Sequence, residues 1–127
     1  MRKFAILLLA LVLVSACQET LEERAAREAR AYTEKNCPAQ LSDYIVIDSM
    51  TFDAQTRTFC YDYRFMGLMD TTAHDSAAMY DELRANMKNA TALKAYKDAG
   101  YRFRYVYRSQ KNPEVILFQA EFGEGDY

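Results

Sequence analysis

The sequence predicts an α+β fold with the element order α-β-β-α-β-β: a four-stranded antiparallel sheet with helices packed on one face. Three observations carry this prediction. Thr58–Phe65 and Tyr101–Arg108 alternate strictly, with an aromatic ring at every second position, which is the pattern of a strand with one face on a core. Gln18–Asn36 and Ser76–Asp98 instead repeat their apolar residues at helical spacing. Helices and hairpins separated in this way pack as a helical layer on an antiparallel sheet.

In the first helix, Thr20 followed three residues later by Glu23 is a capping-box pattern. Leu21, Ala25, Ala29 and Tyr32 share one face, and the other positions are mostly Glu and Arg at spacings that suit a solvated surface. Two of the four apolar positions are alanine, so this helix packs lightly. Asn36-Cys37-Pro38 ends it, because the residue before a proline is pushed out of helical dihedrals. Tyr44–Phe52 is rich in β-branched and aromatic residues and reads as a strand. Asp53–Arg57 is the hairpin loop. Beyond it, Phe59, Tyr61, Tyr63 and Phe65 face one way, and Thr58, Cys60, Asp62 and Arg64 the other.

Met66–Asp75 is an irregular connection. In Ser76–Asp98, Tyr80, Leu83 and Met87 align, the pattern breaks near Asn89, and Leu93 and Tyr96 resume it. Gly100 stands where a helix C-terminal glycine is expected. Tyr101, Phe103, Tyr105 and Tyr107 then alternate with Arg102, Arg104, Val106 and Arg108. Asn112-Pro113 marks a turn within Gln110–Glu114, and Val115–Phe122 is the last strand. The two aromatic strand faces, with Tyr80, Leu83 and Met87, form the expected core. Full burial of each large side chain there stabilises the fold by about 1.5–3 kcal/mol.

The amino terminus, MRKFAILLLALVLVSAC, has a different character. Arg2 and Lys3 precede an apolar run, Phe4–Val14, and Ser15 and Ala16 are small. This is the layout of a cleaved secretory signal, and the run is shorter than the roughly 20 residues that span a bilayer. Val14-Ser15-Ala16-Cys17 resembles the lipobox of bacterial lipoproteins. The resemblance implies cleavage before Cys17, a thioether-linked lipid on its sulfur and acylation of the new amino terminus by a palmitate-like chain. Two or more acyl chains anchor a protein stably. Residues 1–16 are then the signal peptide, and residues 17–127 a single small domain on a lipid tether in the cell envelope. Gln18 is not the Asp that resembles an inner-membrane retention signal, so the resemblance favours the outer membrane. In size and layout the globular part is similar to small uncharacterised envelope lipoproteins.

Removal of Arg2 and Lys3 from 16 basic side chains leaves 14 against 18 acidic ones, a net charge of about −4 that argues against nucleic acid as the partner. Ten Tyr and seven Phe against four Gly and two Pro describe a globular chain. Cys37 and Cys60 have two readings in an oxidising compartment. A bridge would close a loop of about 24 residues and stabilise the fold by about 3 kcal/mol; otherwise they are two unrelated buried thiols.

The catalytic inventory is thin. His74, the only histidine, is either a general base oriented by Asp75 or an exposed loop residue; chain neighbours rarely face each other as a dyad must. There is no nucleophile elbow, zinc-protease motif or phosphate loop, and Cys37 and Cys60 lack zinc-site spacing. The sequence therefore predicts no enzyme, no cofactor and no metal. Arg64, Arg102, Arg104 and Arg108 fall on one sheet face, where guanidiniums could take an anionic glycan, a lipid phosphate or an acidic protein patch. Alternatively, Asp62 and Glu121 pair with them on a solvated face. Tyr61, Tyr63, Tyr105 and Tyr107 belong to the core, or else line an open face for a sugar or peptide. The function expected is a non-enzymatic interaction module anchored by lipid to the envelope. The alternative is an inhibitor of a periplasmic or host hydrolase acting through the Met66–Asp75 loop.

Overall fold

The computed structural model describes residues 18–127. The signal peptide read at 1–16 and the lipidation residue Cys17 lie outside the described residues. Helix α1 (Leu21–Asn36) begins at its capping residue, where Thr20 Oγ1 accepts the Glu23 amide at 3.1 Å. Its thin apolar stripe buries Ala25 and Ala29, and its outer face pairs Arg27 with Glu19 and Arg24 with Glu28. Strands β1 (Ala39–Gln40), β2 (Ile45–Asp53) and β3 (Thr58–Phe65) follow. A 3₁₀ turn at Gly67–Met69 leads to helix α2 (Ser76–Asn89), which ends where the sequence pattern breaks. A second 3₁₀ turn (Thr91–Leu93), helix α3 (Lys94–Asp98) and strands β4 (Arg102–Ser109) and β5 (Ile116–Phe122) complete the order.

The sheet departs from expectation twice. It has five strands rather than four, in the order β1-β2-β3-β4-β5, and it is mixed rather than antiparallel. The extra strand is β1, whose Ala39 and Gln40 lie opposite Ile47 and Val46; two residues are too few to show an alternation. The parallel pair is β3 and β4, with Thr58 opposite Arg102 and Phe65 opposite Ser109. The helical crossover between them returns the chain to the end where β3 began, and a parallel neighbour needs such a connection.

Parallel pairing in this register keeps the two alternations in phase, so every ring on β3 and β4 faces the helices. Phe59, Phe65, Phe103 and Phe122 are at most 1% exposed. Phe59 and Phe103 stack with centroids 5.7 Å apart, and Tyr96 meets Phe59 edge-on at 4.9 Å. Tyr96 Oη donates to Glu28 Oε2 at 2.7 Å, joining α3 to α1. Beyond the end of β1, the Thr33 hydroxyl serves the open edge of β2. It accepts from Met50 N–H at 2.9 Å and donates to Met50 C=O at 2.7 Å, satisfying two backbone groups that otherwise need a strand partner.

The two ends of the sheet differ. At one end the β2–β3 turn meets the start of α1, where Arg57 pairs with Glu22 at 3.3 Å. At the other lie the β1–β2 loop, the exit of β3 and the β4–β5 turn. Every exposed large apolar residue among those described (Leu41, Tyr44, Leu68, Val115 and Ile116) is at this second end. Asp70 secures it, accepting from Ser109 Oγ at 2.5 Å and Lys111 N–H at 3.0 Å.

Replacing Phe103 by Ala is expected to cost about 3–5 kcal/mol, as for other fully buried Phe side chains. Thr33→Val is expected to cost about 1–3 kcal/mol through the orphaned Met50 groups. Urea unfolding measures both. The bond from Ser109 and then the Lys111 amide hold the Asp70 carboxyl below its ordinary value of 3.8. Burial opposes ionisation of Glu28, but bonds from Arg24 and Tyr96 outweigh it and keep this carboxyl below 4.5. Both folded-state values are depressed, so the stability they contribute is present above those ordinary values and lost as pH falls through the folded ones. In acid titrations followed by circular dichroism, Asp70→Asn and Glu28→Gln should each flatten the loss of stability below about pH 4.5.

Candidate functional site

The outer face of the sheet collects the four arginines that the alternation places there, and charge pairing occupies three of them. Arg64 grips Asp48 with two bonds, Nε to Oδ2 at 3.2 Å and Nη2 to Oδ1 at 3.0 Å. Asp48 sits at the irregularity where β2 shifts register against β3. Arg102 meets Glu121 at 2.7 Å and Arg108 meets Asp62 at 3.4 Å. Only Arg104 of the four has no carboxylate partner among the described residues; its Nη2 donates to Gln119 Oε1 at 3.2 Å. Arg104 borders an open depression of about 500 Å³ that also has Asp53, Glu121, Arg102 and Cys60 in its lining. Its charged lining is thus balanced in sign, a solvated polar face more than an anion trap.

Cys37 and Cys60 are free thiols, both half-buried. Cys37 precedes β1, while Cys60 lies on β3 with β2 between them. Two strand spacings amount to about 10 Å, beyond the roughly 7 Å between Cα atoms that a disulfide tolerates. The bridge reading is therefore not realised, and burial pushes both thiols up from their ordinary value. His74 and Asp75 do not form a dyad. The histidine ring stacks on Phe65 at 4.7 Å and its Nε2 bonds the Met69 carbonyl at 2.9 Å. Asp75 instead caps α2, accepting the Ala78 amide at 3.0 Å. Among the described residues no cluster of His, Cys, Asp and Glu is placed to hold a metal ion, and no helix is long and apolar enough to cross a membrane.

The helix-side face of the sheet offers more. Tyr61, Tyr63, Tyr105 and Tyr107 stand on the two central strands as a ladder. Tyr61 stacks on Tyr105 at 4.9 Å and Tyr63 on Tyr107 at 4.5 Å, with rings within 18° of parallel. Tyr61, Tyr63 and Tyr105 are only half-buried. None of the four hydroxyls has a protein partner, yet the one sealed, unpartnered side-chain polar atom among the described residues is Tyr101 Oη. The four ladder hydroxyls are therefore not fully sealed from solvent. Burial of the rings raises all four phenols, Tyr107 to about 12, so they are neutral donors and acceptors at physiological pH. The ladder follows the core reading of the sequence: its rings pack in or against the core, and its hydroxyls have no protein partner among the described residues.

At the apolar end of the sheet, Tyr107 of the ladder helps to line a cavity of about 230 Å³ with Ile45, Phe65, Met69, Met79, Glu82, Leu83 and Asn86. The sequence marks Leu83 for the core and Tyr107 for the ladder. It does not mark Ile45, Met69 or Met79 as neighbours, since they come from three separate segments without a shared periodicity.

Comparison with known proteins places this arrangement. A family described as Domain of unknown function (DUF8479) matches residues 20–118, and the chain belongs to that family. No curated protein matches. The fold is similar to that of the Pseudomonas aeruginosa protein PA3611, assigned as secreted, with a TM-score of 0.67 at 10% identity over 86% of this chain and 98% of that one. It is also similar to the type 2 secretion system pilotin EpsS of Vibrio vulnificus, with a TM-score of 0.66 at 10% identity over 84% and 90% of the two chains. The type II secretion system pilotin AspS of Vibrio cholerae aligns with a TM-score of 0.62 at 13% identity over 84% and 92%. These likenesses are of fold.

The separation of the cysteines fixes a thiol count. Unreduced, unfolded Cys17→Ser protein should give two reactive thiols with Ellman's reagent, whereas a count of zero would contradict the arrangement of β1, β2 and β3.

Proposed function

We propose that this DUF8479 chain is a lipid-anchored protein of the cell envelope and works there as a non-enzymatic interaction module. The observation that carries this reading is the tyrosine ladder. Four stacked rings with unpaired hydroxyls, one of them, Tyr107, in the wall of an apolar cavity, suit the capture of a polypeptide segment. Tyrosine is favoured at interfaces because it joins a large apolar face to a polar tip. The fold likeness to two secretion-system pilotins supports a partner within an envelope assembly.

The placement of the tether agrees with this. The lipobox resemblance makes Cys17 the anchor, residues 1–16 a removed signal and the outer membrane the preferred site. The first described residues lead into α1 beside the β2–β3 turn, at the end of the sheet away from Leu41, Tyr44 and Leu68. An eight-residue central strand spans about 26 Å, so the apolar end is held off the membrane and turned toward a protein partner. An anionic glycan is the weaker ligand, since only Arg104 is uncommitted on the outer face. The inhibitor reading draws on Leu68, which is 80% exposed on a turn held by Asp70 and His74.

Cells expressing the wild type should incorporate labelled palmitate into this chain and hold it in the outer-membrane fraction. Cys17→Ser should lose both the label and the membrane association. Crosslinking in intact cells should then capture a discrete partner through the tethered form only. A hydrolase captured equally by both forms, and lost on deletion of Gly67–Ala73, would transfer the assignment to the inhibitor reading.

A further inference from the structure

Resting on the reading of the tyrosine cleft as a docking site, we infer that the docked segment is anchored by one large apolar side chain, with Lys or Arg residues flanking it. The cavity beneath Leu83 supplies the seat for the anchor. Its volume of about 230 Å³ is below the roughly 300–1,000 Å³ typical of small-molecule sites, and suits a single Leu- or Phe-sized group. Ile45, Phe65, Met69, Met79 and Leu83 make its walls apolar. The two methionines are unbranched and polarisable, so the walls adapt to the shape of the inserted group. Two wall residues, Ile45 and Met69, are chain neighbours of the exposed Tyr44 and Leu68, which extend the apolar surface out of the cavity onto the end of the sheet. Tyr44 is held there because its ring lies against Gly67, where a side-chain Cβ would meet it at 3.3 Å.

The rim of the cavity sets the charge of the partner. Glu82 is the only ionisable group with a carboxylate or cationic charge in its lining. Of the other acids between Met66 and Leu83, Asp70 is bonded to Ser109 and the Lys111 amide and Asp75 caps α2, so Glu82 is the carboxylate that faces the cavity. The nearest arginine along the helix, Arg84, is committed to the Asp126 carbonyl at 2.8 Å. An apolar seat with the Glu82 carboxylate in its wall selects an apolar anchor beside cationic residues, through charge complementarity that acts mainly on encounter and choice of partner.

The test uses the full lipidated chain in nanodiscs of zwitterionic lipid, with chain-free nanodiscs as the blank. Three fluorescent 15-residue peptides share a central Leu-Leu-Phe and differ only in flanks of Lys and Arg, of Ser, or of Glu. Anisotropy should show saturable binding of the Lys/Arg-flanked peptide about tenfold tighter than the Glu-flanked one, with the gap narrowing as salt rises. Asp81→Lys with Glu82→Lys should abolish or invert that order, and Arg104→Ser on the outer face should leave it unchanged. Binding by none of the peptides, or equal binding by all three, overturns the inference. If binding is lost in Tyr105→Ser but indifferent to flank charge and to Glu82→Lys, the anchor assignment fails while the cleft reading stands.

Discussion

The fold depends on the in-phase parallel pairing of β3 and β4. With Phe59 opposite Phe103, Tyr61 opposite Tyr105 and Tyr63 opposite Tyr107, two independently alternating strands become one aromatic surface. A slip of one residue would send one strand's rings to the solvent face and its arginines into the core. The phenylalanines near the start of the pair make the sealed centre under α1 and α3. Further along, Tyr61, Tyr63 and Tyr105 are half-buried, and the pair closes again on the buried Phe65 and Tyr107.

The opposite face shows why a run of arginines is not in itself a binding surface. The register that aligns the rings also sets Arg104 opposite Cys60 and Arg108 opposite Arg64, while the β4–β5 register sets Glu121 opposite Arg104. Carboxylates on β3, on β5 and at the β2 irregularity neutralise all but one of the four guanidiniums. Exposed pairs of this kind contribute little to stability, about 0–1 kcal/mol each. They do leave the outer face without a strong field.

Much of this was legible in the sequence, and the rest was hidden for physical reasons. Thr20–Glu23 announces the start of α1, Asn89 the break after α2, and the two aromatic alternations assign faces that the structure keeps. Alternation has the same period in parallel and antiparallel strands, so it cannot report strand direction; the helical crossover decides that. β1 escapes notice because two residues carry no period. The separation of Cys37 from Cys60, the grip of Asp48 on Arg64 and the convergence of Ile45, Met69 and Met79 are all consequences of long-range register, which local spacing does not encode. The resemblance of Val14-Ser15-Ala16-Cys17 to a lipobox is the reverse case, a local pattern that speaks of location and not of fold.

Arg104 and Tyr105 are adjacent in the chain and point to opposite faces of the same strand, so they separate the two surfaces with the smallest change in position. The most direct test places a photo-crosslinking amino acid at each in turn and irradiates intact cells. A discrete protein adduct from position 105 and none from position 104, with the chain folded in both, is the expected result. An adduct from position 104 and none from 105 would contradict it, and would make the arginine face the working surface.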